Sequence, residues 1–384
     1  MPNLSPKRFS NPDTLKHVGD ALLIRLLSDY RDFFIARGVD LPQSASATPI
    51  DYEALAAVLM TPDTDTPHDL AEILYFMHEM STPESMDNLL DAITQREFQF
   101  PVGADLTPAD VAVHVWLVAP DLLREKHVEQ YLLRPRSFVS YVTDEQPVPP
   151  FVMPTLPVVR GLEAAMDDWF ERKKRGRGCR VYIHHRDGLV WFLVRHGQPF
   201  KREGSLEDGV SGSVFYRPET HDVLIYAPET GELRIHTSTK GEREMYRQSF
   251  GLHFFGRSDF FPGEAKYTLD PFKQGRQCLV CTDIPGIDSI VLKEIEFTIP
   301  GAIWEREIHK SDDVFTAFEY RNFEIREHLV ISRACFKVQF SDSQKARTVV
   351  IRPSNNAQYG RDEDAVLVER WLNARGFILS TNET

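Results

Sequence analysis

The chain has 384 residues, 42% of them hydrophobic and 26% charged, which is enough apolar material for two or more ordinary cores and too much for a disordered chain. Its formal net charge of −13 repels polyanions as a whole and speaks against a dedicated DNA packer, although a local basic patch can override that. Four cysteines are too few for a disulfide scaffold of this size.

The opening MPNLSPKRFSNPD lacks the charged n-region and apolar h-region of a leader, and no later stretch nears the roughly 18 uninterrupted apolar residues of a membrane span. A soluble, cytoplasmic protein with no membrane partner is expected. LKHVGDALLIRLLSDYRDFFIARG repeats apolar residues at Leu15, Val18, Leu22, Leu26, Tyr30 and Phe33, a helical stripe that stops at Gly38. Thr-Pro steps follow in TPID at 48–51, TPHD at 66–69, TPES at 82–85 and TPAD at 107–110, each ahead of an apolar-periodic run. Thr suits the N-cap, where its hydroxyl accepts an orphan amide, and Pro suits the first helical position, where no amide is lost. In three of the steps Asp stands at the third helical position, as a short-armed capping box requires. Residues 10–133 therefore read as an all-α helical bundle, since intervals of 18, 16 and 25 residues between the steps are too uneven for a regular solenoid.

Pro135, Pro147, Pro149, Pro150, Pro154 and Pro157 then crowd one segment, a density that speaks against helix and central strand alike. Residues 134–160 read as a semi-extended connector. A short helix, GLEAAMDDWFERKKRGRG, carries Leu162, Met166 and Trp169 or Phe170 on its inner face. From residue 180 the period becomes two. RVYIHH and LVWFLVRH flank Asp187-Gly188 as a hairpin. QPFKREGSLEDGVSG reads as a loop, after which SVFYR, DVLIYA and ELRIHT continue an antiparallel meander, with the two PET triplets at 218–220 and 228–230 as its turns.

KGEREMYRQSFGLHFFG reads as an amphipathic helix with Met245 and Phe250 inward. SIVLKEIEFTI, IWEREIH, LVISRACFKVQF and TVVIRP are further strands, and their alternation implies a sheet with one solvated face. DEDAVLVERWLNAR at 362–375 returns to helix, either docked on the sheet or closing a winged-helix unit. The fold class is α+β: an N-terminal all-α bundle, then a mainly antiparallel β-rich α+β domain over 161–384, divisible near 256–285, with a C-terminal helix.

Four constellations are candidates for chemistry. Arg172, Lys173, Lys174, Arg175, Arg177 and Arg180 fall within nine positions of an acidic chain. They serve either as dipole-complementing cations at a helix end or as a phosphate-binding stripe. Asp222, Glu232 and Arg234 spell D-x9-E-x-R, the order in which some nucleases present two carboxylates to Mg²⁺ and a cation to the attacked phosphate. Arg in place of the usual Lys could not act as a base. His184, His185, Asp187 and His196 form a further polar cluster that His221 or His236 would have to complete. Cys278-Leu-Val-Cys281 has zinc-knuckle spacing but needs Cys179 and Cys335 to reach four ligands, so buried thiols beside a small strand are the expectation. The chain contains no GxxxxGK[ST], GxSxG, HExxH or GxGxxG between strand and helix.

These readings give a non-enzymatic interaction or regulatory subunit of a bacterial multi-protein system, with a protein partner or self-association and nucleic-acid contact through the basic stripe. It needs no cofactor. The alternative is a metal-dependent nuclease using Asp222, Glu232 and Arg234 with Mg²⁺, which requires both carboxylates to reach one ion.

Overall fold

A computed structural model describes residues 11–45, 48–63, 65–98, 106–207, 209–262, 266–299, 303, 305–326, 329–360 and 364–379. The leader reading at the start of the chain and residues 362–363 of the tail helix lie outside the described residues. The chain divides into two compact units, Met1–Gln130 and Tyr131–Thr384. Among the described residues no helix is long and apolar enough to cross a membrane.

The first unit holds α1 (Pro12–Leu15), α2 (Asp20–Leu27), α3 (Arg31–Ile35), α4 (Tyr52–Met60), α5 (His68–Met80), α6 (Pro83–Gln95) and α7 (Pro108–Val118), and α8 (Pro120–Leu133) runs across its boundary. Their apolar stripes meet in one core that includes Leu27, Phe34, Leu55, Leu70, Met77, Leu89 and Val111. The Thr-Pro expectation holds at two of its four places. Thr82 accepts the amide of Ser85, and Thr107 forms a full capping box with Asp110. The Asp110 carboxylate also accepts the amide of Gly19 at 2.7 Å, fixing α7 to the start of α2. The other two steps are corrected: Asp51, not Thr48, caps α4 by accepting the amide of Ala54, and α5 starts after Pro67 with no side-chain cap. In both, the helix begins later than the Thr.

The second unit is built on a ten-stranded antiparallel sheet in the order β2-β3-β6-β7-β1-β12-β11-β10-β8-β9. The strands are β1 (Ser137–Val142), β2 (Arg180–Arg186), β3 (Leu189–Gly197), β6 (Glu219–Ala227), β7 (Glu232–His236), β8 (Ile287–Ile299), β9 (Glu305–Lys310), β10 (Val330–Phe340), β11 (Arg347–Arg352) and β12 (Asn356–Gln358). A separate two-stranded ribbon, β4 (Lys201–Glu207) with β5 (Val210–Tyr216), is inserted between β3 and β6. The helices are α9 (Leu156–Arg172), α10 (Lys240–Phe255), α11 (Val314–Arg321) and α12 (Asp364–Ala374). The α+β class is thus observed directly.

Directly opposed residues in an antiparallel ladder share a face, so the registers can be followed across the sheet. Leu224 faces Ile235, Tyr141 faces Leu233, Phe138 faces Ala357, and Ile351 faces Ala334. Followed in this way, the core under α9 and α10, with Phe192, Leu224 and Leu233, and the core under α11 and α12, with Leu292, Phe336 and Ile351, lie on opposite faces. The covering layer changes sides at β1 and β12. Beyond that seam the opposite face of β8, β9 and β10 carries Glu294, Glu296, Arg306 and Arg333 in cross-strand pairs; it is polar as the alternation implies, but less solvated than expected, with Glu294, Glu296 and Arg333 only 16%, 12% and 21% exposed.

Three expectations need correction. The Pro-rich connector contains β1, a central strand of the sheet, because SFVSYV is a proline-free run between Pro135 and Pro147, and its end from Leu156 is the first turn of α9, where Pro157 is tolerated. The expected loop KREGSLEDGVSG is ribbon, folded about Gly209 at φ +79°. Of the PET triplets only the second is a turn, closed by Thr230 N to Ala227 O and by Gly231 at φ +62°, whereas Glu219 and Thr220 already belong to β6. The hairpin at Asp187-Gly188 is as predicted, both residues having positive φ. α12 docks on the sheet through Val368, Trp371 and Leu372.

The cap assignments give opposite outcomes for neighbouring substitutions. Asp51→Ala costs about 1 kcal/mol of stability and Thr48→Ala a few tenths at most, measured by urea denaturation followed by far-UV circular dichroism.

Candidate functional site

The pleat separates the residues of the nuclease reading. Val194 and Asp222 are opposed, whereas Glu232 is opposed to Ala227 and Arg234 to Ile225. Asp222 therefore projects from one face of β6, and Glu232 and Arg234 from the other face of the sheet. The two carboxylates do not share a site for one ion. Glu232 and Arg234 do share a face, as their spacing predicts, and Arg234 Nη2 donates to Glu232 Oε2 at 3.0 Å.

On the α9 and α10 side, Asp222 Oδ2 accepts from Tyr246 OH at 2.8 Å and from Thr237 Oγ1 at 3.0 Å, and it faces His196 Nε2 at 3.0 Å. Glu242 Oε2 lies 2.9 Å from Thr237 Oγ1 and accepts the amide of Thr239, while Oε1 accepts from Arg175. The Glu242 carboxylate is thereby both the capping-box acid of α10 and the partner of an arginine following α9. His196 Nδ1 faces the Gly197 carbonyl at 3.0 Å, and its ring stacks on Phe170 at 4.0 Å. Both ring nitrogens therefore face oxygen atoms within hydrogen-bond distance.

His196, Asp222 and Glu242 offer ligand atoms within 4.8 Å of one another, a spacing an ion can bridge. His196 Nε2, Asp222 Oδ2 and both Glu242 oxygens are already engaged, and the three side chains are between 1% and 5% exposed. What the arrangement does is tie α9 and α10 to β3 and β6. Thr239-Lys-Gly-Glu242 is legible in sequence as a capping box; the meeting of Asp222 with Tyr246 is not, because neither position has a local signature.

On the other face, Lys266 Nζ donates to Glu232 Oε1 at 2.5 Å, Arg234 donates to Glu369 of α12 at 2.8 and 3.0 Å, and Tyr359 OH donates to Glu369 Oε1 at 2.7 Å. Burial alone would raise the pKa of Glu232, but Arg234 and Lys266 override it and hold the carboxyl well below the usual carboxylate range.

The histidines do not converge. His184 opposes Trp191 and His185 opposes Val190, on alternate faces. His221 stacks on Tyr131 at 4.4 Å, and burial, with Arg195 next in weight, lowers its pKa to about 4. Exposed Glu219 lies 3.5 Å from its Nε2, too well solvated to offset the burial. His236 Nδ1 faces the Ser137 carbonyl at 2.8 Å. All four cysteines are free thiols; Cys278 and Cys281 are buried in a 3-10 segment and the turn after it rather than beside a strand. Burial pushes the Cys278 thiol up to about 12.

The basic stripe divides. Arg175 turns inward to Glu242, Arg177 bridges Asp168 and Glu171 at 2.9 and 2.6 Å, and Arg180 lies 3.8 Å from Glu163. Arg172, Lys173 and Lys174 are exposed and have no acidic partner among the described residues, Lys173 lying over the Trp169 ring. The loop that bears them meets the foot of the ribbon: Arg217 Nη1 donates to the Lys174 carbonyl at 2.7 Å, and its guanidinium covers Phe200 at 4.2 Å. A Cβ at Gly197, where β3 ends, would fall 2.6 Å from the Arg175 carbonyl oxygen, so the close approach of this loop requires glycine.

Comparison with protein-family models and with curated proteins gives no match for the chain.

Glu232→Gln leaves Lys266 and Arg234 short of a buried counter-charge and costs about 3–5 kcal/mol near neutral pH. Because the folded pKa is depressed, the contribution of Glu232 is present above its ordinary value of 4.5 and is lost as pH falls toward the folded value. Urea denaturation across the acid range should therefore show the gap between wild type and variant narrowing below about pH 4.5; a constant gap contradicts the assignment.

Proposed function

We propose that the chain is a non-enzymatic interaction or regulatory subunit that docks a protein partner through the β4–β5 ribbon. The observation that carries this reading is the apolar exposure gathered there, with Leu206 75%, Val210 70%, Phe215 67% and Phe200 66% exposed. Single exposed apolar residues need no explanation, but a group of them on one element marks an interaction surface. Among the described residues β4 and β5 pair only with each other, so each strand offers a backbone edge to a partner. Leu206, Arg202 and Phe215 share one face of the ribbon, and Val210, Val214 and Tyr216 the other. The separation of Asp222 from Glu232 removes the strongest argument for an enzyme.

Nucleic-acid contact is a second reading, favoured by Arg172, Lys173 and Lys174, which have no acidic partner among the described residues, beside the exposed Lys201 and Arg202 at the ribbon foot. Phosphates would supply the missing counter-charge, and such binding weakens steeply with salt.

Leu206→Ser with Phe215→Ser should leave the melting temperature unchanged, because both side chains lie outside the cores, while reducing association about tenfold or more. Sedimentation analysis reads self-association, and affinity capture with wild type and variant side by side reads a heterologous partner. Equal association by both proteins contradicts the ribbon reading. For the second reading, a salt-sensitive shift of labelled DNA or RNA should disappear when Arg172, Lys173 and Lys174 are changed to Ala; no shift by wild type, or a shift that survives in the variant, contradicts it.

A further inference from the structure

An apolar groove of about 240 Å³ opens in the helical unit between α3, α4, the loop at 61–67 and α5, lined by Phe33, Leu59, Leu70, Ala71, Leu74 and Tyr75 among others. Its volume falls below the ~300–1,000 Å³ of sites that enclose a small molecule. It suits a pair of apolar side chains better than a whole cofactor. Met60, at the end of α4, stands 61% exposed beside it in sequence.

The segment that forms the groove is mainly acidic, although the Arg37 guanidinium lies 3.9 Å over the ring of the lining residue Phe33. Residues 28–80, which supply every lining residue, contain ten Asp or Glu and two Arg. Both arginines are used internally: Arg37 pairs with Asp63 at 2.6 Å, and Arg31 donates to the carbonyls of Leu41 and Pro42. Asp65 and Glu72 are exposed and have no cationic partner among the described residues. The bias is local to this unit, since residues 1–130 hold 9 Lys or Arg against 21 Asp or Glu, and residues 131–384 hold 35 against 36.

We infer that this groove is the docking site for a cationic amphipathic helix of a partner protein. Apolar side chains one helical turn apart enter between α4 and α5, and Lys or Arg on the flanks of the same helix meet the acidic rim. The rim supplies attraction and orientation, and the apolar anchors supply the specificity that charge alone lacks. This surface lies within the helical unit and stands independently of the ribbon.

The test uses the full chain and a fluorescein-labelled helical probe of roughly 16 residues with Leu on one face at helical spacing and Lys elsewhere. Fluorescence anisotropy should show saturable binding that weakens with salt. A probe with Ser in place of Leu, and the groove-filling variant Ala71→Trp, should each lose about tenfold or more. Asp65→Lys with Glu72→Lys, at exposed positions, should weaken binding in the same direction and keeps the test open if Ala71→Trp does not fold. No binding of the Leu probe, or equal binding of the Ser probe, overturns the proposal. So does undiminished binding by a folded Ala71→Trp or by the double lysine variant.

Discussion

Arg234 is the residue on which the second unit turns. Its guanidinium lies between Glu232 on its own strand and Glu369 on α12, and Lys266 closes the group, giving two cations and two carboxylates of which all but the 26% exposed Glu369 are buried. Desolvating three of these charges is expensive, and an apolar cluster of similar volume would do as well for stability alone. The geometry offers a different advantage. The cluster sits on the face that α12 covers, near the seam where the protecting layer changes sides, and it pairs residues 135 positions apart. A helix shifted by one turn, or a strand slipped by one residue, would strand a buried charge, so the cluster penalises the wrong register far more than it rewards the right one.

The opposite face of the same strand pair carries the matching device. There His196, Asp222, Thr237, Tyr246 and Glu242 join β3, β6 and α10, and Arg175 adds the end of α9. One two-stranded element thus anchors a polar cluster on each side of the sheet. That arrangement accounts for the resemblance of its sequence to a metal-binding motif: strands that must hold charge on both faces accumulate Asp, Glu and Arg at spacings a catalytic hairpin also uses, and only the pleat and register distinguish the cases.

What the sequence makes legible follows from the range of the interactions. Thr107 with Asp110, Asp187-Gly188 and the alternation of VLKEIEFTI are local, and each appears in the structure where propensity puts it. SFVSYV is hidden by prolines on either side, and its place between β7 and β12 depends on partners far along the chain. The ribbon is hidden for another reason. Gly204, Ser205, Ser211, Gly212 and Ser213 give it a loop composition, because a ribbon with no core beneath it has no apolar alternation to display. Of the basic run, sequence shows all six cations alike, and only the fold reveals that Glu242, Asp168, Glu171 and Glu163 answer three of them.

Net charge is likewise informative only once the units are separated. The acidity of the whole chain argues against contact with polyanions, yet nearly all of it belongs to residues 1–130, while residues 131–384 balance at 35 positive against 36 negative side chains. Within a screening length of about 8 Å at physiological salt, the field at Arg172, Lys173 and Lys174 is set by near neighbours, and their neighbouring acids are already engaged by Arg175, Arg177 and Arg180. The same arithmetic applied to residues 28–80 gives ten acidic side chains against two arginines in the segment that forms the apolar groove. A single chain therefore presents surfaces with opposite electrostatic preferences, and a partner suited to one is disfavoured at the other by the sign of its charge.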